Sequence, residues 1–317
     1  MECIFANRNV GRNYNLDFEI EEVGLREGLQ SNHKILSLAE KAQIVEKLIE
    51  TGINNIELGS FVNPNKVPQM EGIEELFKIF KDVQNVKFTG LALNLKGVKR
   101  AVDAGVRFIN ISISASNSHQ IENTGKTMKD SLDELLKMIE YAYSNKLVVY
   151  AGIQAVFGCY IEGKVPLRTV QEIATMIVNT NKVQRLRLSD TSGFATPGYV
   201  IKVIDEIKKI SLNIPIILHL HDTFGMGMAN VLAAINQGIY LFDSSILGMG
   251  GCPFMKGAPG NIATEDLIFM LKSLGYFQEI DLYRLCSCAE YIKEVYQENF
   301  SGKICNYMQI LNKLEIY

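Results

Sequence analysis

The sequence has no apolar run of 18 residues, so no segment has the length of a bilayer-spanning helix. Basic residues are not in surplus: 32 Lys and Arg stand against 35 Asp and Glu, a formal net charge of −3. That balance offers no electrostatic footprint for nucleic acid. The first seventeen residues carry neither an apolar signal core nor an amphipathic Arg/Ser-rich pattern, and a cytoplasmic protein is expected. The six cysteines (Cys3, Cys159, Cys252, Cys286, Cys288 and Cys305) lack zinc-site spacing. They are expected as free thiols of a reducing compartment, Cys286 and Cys288 lying in a helix as core or surface residues. There is no repeat, low-complexity tract or linker. A glycine-rich phosphate turn is also missing after the first strand, because Gly24-Leu25-Arg26-Glu27-Gly28 does not fit one, which argues against a doubly wound nucleotide-binding sheet. Histidine is scarce, with four in 317 residues.

Two of those four stand in Leu218-His219-Leu220-His221-Asp222-Thr223-Phe224-Gly225, at the end of the apolar run from Ile214 to Leu218. Such a run reads as a buried strand, on which alternate side chains share a face. His219 and His221 therefore point the same way, as half of a metal site or as a hydrogen-bonded core pair.

Hydrophobic residues make up 47% of the chain, enough for a large core. Strand-like runs fall at 18–23, 55–58, 86–91, 108–113, 148–156, 185–188, 214–220 and 241–246. Helical patterns follow them, among others at 39–50, 73–80, 131–143, 170–178, 197–210, 226–236 and 264–274. Eight strand–helix pairs without a composition break predict an α/β fold, a (β/α)8 TIM barrel. The expectation is one catalytic domain over 1–317, with the barrel at about 18–275 and a helical extension at about 281–317.

A barrel of this kind carries its active residues at the carboxyl ends of its strands. Those ends hold Arg26, Glu27 and Gln30; Glu57 and Ser60; Asn94; Ser112, Ser114 and Ser116; Gln154 and Cys159; Asp190, Thr191 and Ser192; His219, His221 and Asp222; Ser244 and Ser245. Only strand eight separates strands one and seven in a closed barrel, so Glu27 can meet the two histidines. A nitrogen and oxygen donor set without cysteine suits Mg²⁺, Mn²⁺ or another octahedral divalent ion, and zinc less well. After strand eight comes Gly248-Met249-Gly250-Gly251-Cys252-Pro253-Phe254, a loop that lets backbone approach a ligand and presents one thiol. Gly257, Gly260 and Asn261 extend it, and Asn261 offers an amide oxygen as a further ligand.

Four blocks of this chain resemble hydroxymethylglutaryl-CoA lyases, members of the metal-dependent lyase and aldolase barrels. They are Glu22 to Gln30, Glu57 to Met70, His219 to Asn230, and the most specific, Gly248 to Leu267. Asn94 to Gly97 and Gly158 to Gly163 match more weakly, and the likeness runs from about 18 to 275. The resemblance implies a divalent metal cofactor and cleavage of an acyl-CoA to acetoacetate and acetyl-CoA. It places metal ligands on Glu27, His219, His221 and Asn261, and other active-site positions on Arg26, Glu57, Asp190, Cys252 and Glu265. Gln30 and Glu265 are expected to contact substrate. Lys66, Lys96 and Lys256 are candidates for the phosphates of an acyl-CoA or are simply solvated. Members of the family are often dimers, so a homodimer is expected, with neither a nucleic acid nor a membrane as partner.

The chain departs from the family pattern where it matters. Glu27 replaces an aspartate, adding a reach of about 1.5 Å, the length of one carbon–carbon bond. Leu25 replaces a proline, and Arg187 and Ser189 replace small residues. These changes keep two alternatives open: a sibling enzyme acting on another 3-hydroxyacyl-CoA such as citramalyl-CoA, and a barrel that binds acyl-CoA without turnover.

Overall fold

The computed structural model describes residues 18–251, 260–277, 279–298, 300 and 302–313. Cys252 and Lys256 lie outside the described residues. Eight parallel strands form a closed barrel in sequence order: β1 (Glu19–Glu22), β2 (Asn55–Ser60), β3 (Lys87–Ala92), β4 (Phe108–Ser114), β5 (Val148–Gln154), β6 (Arg185–Ser189), β7 (Ile216–His219) and β8 (Leu241–Ser244). The barrel shuts where Glu19 to Glu22 of β1 register with Leu241 to Ser244 of β8. The expected strands are all present, with ends displaced by a few residues. Pro215, which cannot donate a ladder hydrogen bond, precedes the first residue of β7.

Alternation explains how one strand serves two environments. In β4, Ile109, Ile111 and Ile113 are buried among the hydrophobic core residues, while Asn110 between them joins a buried polar set. Helices follow the strands and bury one stripe each, as Ile44, Val45 and Leu48 do for Leu38–Glu50. Ser37 starts that helix in a reciprocal capping box with Glu40. Two helices went unnamed in the sequence reading. Leu95–Asp103 is capped by Asn94, whose side chain accepts from Gly97 N at 2.8 Å. Asn117–Thr124 is capped by Ser116 and sits in the fourth strand–helix connection, ahead of Met128–Ser144.

The helical extension is present as Leu282–Tyr296 and Met308–Lys313, with a short turn at Ile304–Tyr307 between them. It corrects the expectation of six free thiols, because Cys286 and Cys305 are joined in a disulfide. Packing of the turn against Leu282–Tyr296 brings their Cα atoms within 5.1 Å, a proximity that a separation of 19 residues does not announce. Among the described residues, Cys159 and Cys288 are buried free thiols.

Candidate active site and metal centre

The site is built first by a turn. After β1 the chain makes one wide helical turn, Gly24–Gly28, which carries Arg26 and Glu27. Glu22 fixes this turn: its buried carboxylate accepts from Gly24 N at 2.8 Å, from Ile246 N at 2.9 Å and from the Thr264 hydroxyl at 2.5 Å. One side chain thus ties the first strand–helix connection to the eighth. Burial pushes its carboxyl up to about 7.

Three donor groups then meet, and a fourth residue is brought beside them. Glu27 Oε1 lies 3.1 Å from His221 Nε2, Glu27 Oε2 lies 3.3 Å from His219 Nε2, and the two Nε2 atoms are 3.1 Å apart. One ligand atom from each of these three residues falls within 4.8 Å of the others. Asn261 is brought alongside by a backbone bridge to His221. Its Nδ2 donates to Met249 O at 2.8 Å, which leaves its buried Oδ1 without a hydrogen-bond partner among the described residues. A carboxylate, two imidazole nitrogens and an orphaned amide oxygen are donors that suit a divalent cation, and the residues present fit one.

The electrostatics agree. Burial works against charge on Glu27, but His219 and Arg26 outweigh it and hold the carboxyl well below the ordinary carboxylate range. Burial also disfavours a charged His219 ring, but Glu27 and Asp243 prevail and raise its pKa to about 9. His219 Nδ1 donates to Asp243 Oδ2 at 3.1 Å, which leaves Nε2 as the ring's ligand atom.

Arg26 donates from Nη1 to Glu27 and from Nε to Glu57, each at 2.5 Å. The other oxygen of Glu57 accepts from Asn110 Nδ2 at 2.6 Å. Asp190 follows β6 and is fully buried. Its Oδ2 accepts from Ala195 N at 3.1 Å, Oδ1 has no hydrogen-bond partner among the described residues, and burial raises its pKa. Glu265 lies in Thr264–Ser273, where its Oε2 accepts from Leu247 N at 3.0 Å and burial pushes its carboxyl up to about 8.

A cavity of about 200 Å³ opens beside these groups, lined by Arg26, Glu27, His219, Gln30, Gln154 and Thr191 among others. It shares Gln30, Leu93 and Asn123 with a larger cavity of about 560 Å³ bearing Lys66, Lys96, Arg100 and Lys126. Glu265 lines neither. The sequence reading missed His119, which lines the smaller cavity with a buried Nδ1 that has no hydrogen-bond partner among the described residues. A lone histidine in a polar helix gives no spacing signal. It also missed Asp243, a single acid in a short strand.

The glycine loop begins against the metal donors. Gly250 has φ of +94°, and a Cβ there would come within 2.7 Å of Asn261 Nδ2 and 2.8 Å of Glu27 Cγ. Only glycine fits this approach.

A closed parallel barrel with this donor set at the carboxyl ends of its strands defines a barrel enzyme with a candidate metal centre beside its cavity. The sequence profile of the HMGL-like family matches residues 17–292, and the chain belongs to that family. The 3-hydroxy-3-isohexenylglutaryl-CoA/hydroxy-methylglutaryl-CoA lyase of Pseudomonas aeruginosa is 35% identical over 271 residues, 86% of this chain and 90% of the relative. Human mitochondrial hydroxymethylglutaryl-CoA lyase is 32% identical over 90% of this chain and 88% of its own. Among solved structures, an HMG-CoA lyase from Acinetobacter baumannii in complex with coenzyme A and 3-methylmalate superposes with a TM-score of 0.87. It is 31% identical and covers 93% of this chain and 96% of that one. Similar relatives include cytoplasmic and mitochondrial forms. Among the described residues, no helix is long and apolar enough to cross a membrane.

Proposed function

We propose that the protein is a carbon–carbon lyase that cleaves 3-hydroxy-3-methylglutaryl-CoA to acetoacetate and acetyl-CoA. The convergence of Arg26, Glu27, His219, His221 and the orphaned Asn261 Oδ1 beside one cavity carries this reading.

Glu27, His219, His221 and Asn261 would hold the divalent ion, Mg²⁺ or Mn²⁺. When bound, the ion supplies a Lewis acid that lowers the pKa of a substrate hydroxyl. The hydroxyl proton passes to a carboxylate. Glu27 is the nearer candidate, and Asp190, with its unpaired Oδ1, is the other. As the C2–C3 bond breaks, its electron pair moves into the thioester enolate and the C3 oxygen becomes a ketone. Arg26 faces the cavity and stabilises the enolate oxygen, a charge that grows only in the transition state. Glu57 holds the Arg26 guanidinium from behind. Cys252 is the proposed acid that gives a proton to the enolate carbon; the proton held by the carboxylate then passes to the Cys252 thiolate, which restores both groups. Gln30 lines both cavities and contacts the substrate where they join. The acyl-CoA extends into the larger cavity, where Lys66 and Lys96 offer positive charge to its phosphates, while Arg100 and Lys126 are paired with Glu74 and Glu134.

A longer C3 substituent is the second reading. It is favoured by the Pseudomonas relative, whose name includes an isohexenyl substrate. The test is a steady-state assay of the purified protein with Mg²⁺ or Mn²⁺ against 3-hydroxyacyl-CoA thioesters graded in C3 substituent. Acetoacetate and acetyl-CoA from the methyl substrate are expected. Cleavage of another member alone identifies a sibling enzyme. Cleavage of none, with acyl-CoA still bound, identifies a barrel without turnover.

A further inference from the structure

Eight side chains inside the barrel form a closed ring. Arg26 Nε pairs with Glu57 (2.5 Å), Glu57 accepts from Asn110 Nδ2 (2.6 Å), and Asn110 Nδ2 also donates to Glu21 Oε1 (3.3 Å). Glu21 Oε2 accepts from Arg187, whose Nε forms an ion pair with Asp243 Oδ2 at 2.8 Å. Asp243 accepts from His219 Nδ1, His219 Nε2 faces Glu27, and Glu27 returns to Arg26 Nη1. Strand register builds the far side of this ring. Asp243 pairs across the ladder with Glu21 on one side and His219 on the other. Arg187 enters from β6, two residues before Ser189, the ladder partner of His219.

Arg187 joins the two arms at the far side of the ring, as Arg26 and Glu27 join them at the near side. One arm runs through Asp243 to a metal donor; the other runs through Glu21, Asn110 and Glu57 to Arg26. Its side chain is 7% exposed and lines neither cavity described above, so its contacts are with the ring rather than with a cavity wall. Asp243 and Glu21 are both buried acids, and a planar guanidinium can serve the two with separate nitrogens where an ammonium is a single point charge. We propose that Arg187 is a positioning residue of the metal centre: it holds Asp243 so that His219 presents Nε2 toward Glu27 and His221, and holds Glu21 so that Glu57 keeps Arg26 in place. This rests on the metal-dependent reading above.

The test uses the full-length protein, with Mn²⁺ binding measured by isothermal titration calorimetry alongside steady-state kinetics at saturating Mn²⁺. Arg187→Met should retain its circular dichroism spectrum, bind Mn²⁺ about tenfold or more weakly, and lose kcat by about tenfold or more with KM within about twofold. Arg187→Lys should recover part of the Mn²⁺ affinity but not all. Unchanged Mn²⁺ affinity in folded Arg187→Met overturns the proposal. If that variant does not fold, Arg187→Gln carries the same test: a loss of Mn²⁺ affinity of about tenfold is expected, and parental affinity overturns the proposal. A parent protein that binds no Mn²⁺ at all instead defeats the metal reading, a distinct result.

Discussion

His219 and His221 face each other through their Nε2 atoms at 3.1 Å, with Glu27 bridging the pair. Without a cation this arrangement holds a proton, because Glu27 and Asp243 overcome burial and raise the pKa of His219 to about 9. A metal ion must displace that proton before Nε2 can bind it. The sign follows: below about 9 the proton competes, so metal affinity rises with pH and levels off above that value. Between pH 7 and 8 the apparent dissociation constant for Mn²⁺ should fall about tenfold, the slope for one proton released. Calorimetry in buffers of different ionisation enthalpy counts that proton directly. A pH-independent affinity would mean that His219 is not a ligand.

Glu27 stands at the position where the sequence leaves the family pattern. Glu27→Gln removes the charge that faces both histidines and Arg26, and it should lose nearly all metal affinity and cleavage. Glu27→Asp shortens the reach by about 1.5 Å and should keep substantial activity if the turn at Gly24–Gly28 can shift by that amount. Turnover of both variants at saturating Mg²⁺ and Mn²⁺ checks this. Parental turnover in Glu27→Gln would leave Glu27 neither ligand nor base.

Arg26→Met should leave KM within a few-fold and lower kcat by about a hundredfold or more, because the guanidinium acts on charge that appears in the transition state. The kcat and KM values separate the cases. A rise in KM at constant kcat would make Arg26 a ground-state anchor.

Gly250→Ala adds a single methyl group at φ of +94°, within 2.8 Å of both Asn261 and Glu27. The backbone strain and the contact together should displace two metal donors. Mn²⁺ affinity should fall about tenfold or more, while the thermal midpoint falls only modestly because the change lies at a loop. A variant with parental Mn²⁺ affinity would show that the loop and the donors move independently.

What the sequence made legible follows from period and position. His219 and His221 stood out because alternation on a strand puts them on one face; the structure ends β7 at His219, and a backbone bridge to Asn261 places His221 beside it. Arg26, Glu27 and Glu57 stood out because they follow apolar runs. Glu21, Asn110 and Asp243 did not. Each lies inside a strand rather than at its carboxyl end, and only the closure of the barrel shows that they meet. The same holds for the disulfide between Cys286 and Cys305, where tertiary packing rather than spacing selects the partner. Helix Asn117–Thr124, with mean burial too low to print an apolar stripe, was likewise invisible as a pattern.

The ring through Arg26, Glu57, Asn110, Glu21, Arg187, Asp243, His219 and Glu27 has an evolutionary consequence. A lineage that exchanges Arg187 for a small residue removes the buried cation that Glu21 and Asp243 share, and one that first neutralises Glu21 takes from the arginine one of its two paired acids. The passage between a barrel lined this way and one lined with small residues therefore runs through unfit intermediates unless positions 21 and 187 change nearly together. Ancestral reconstruction along such a lineage should find those two positions turning over on the same branch, with Asp243 the last to be free to change.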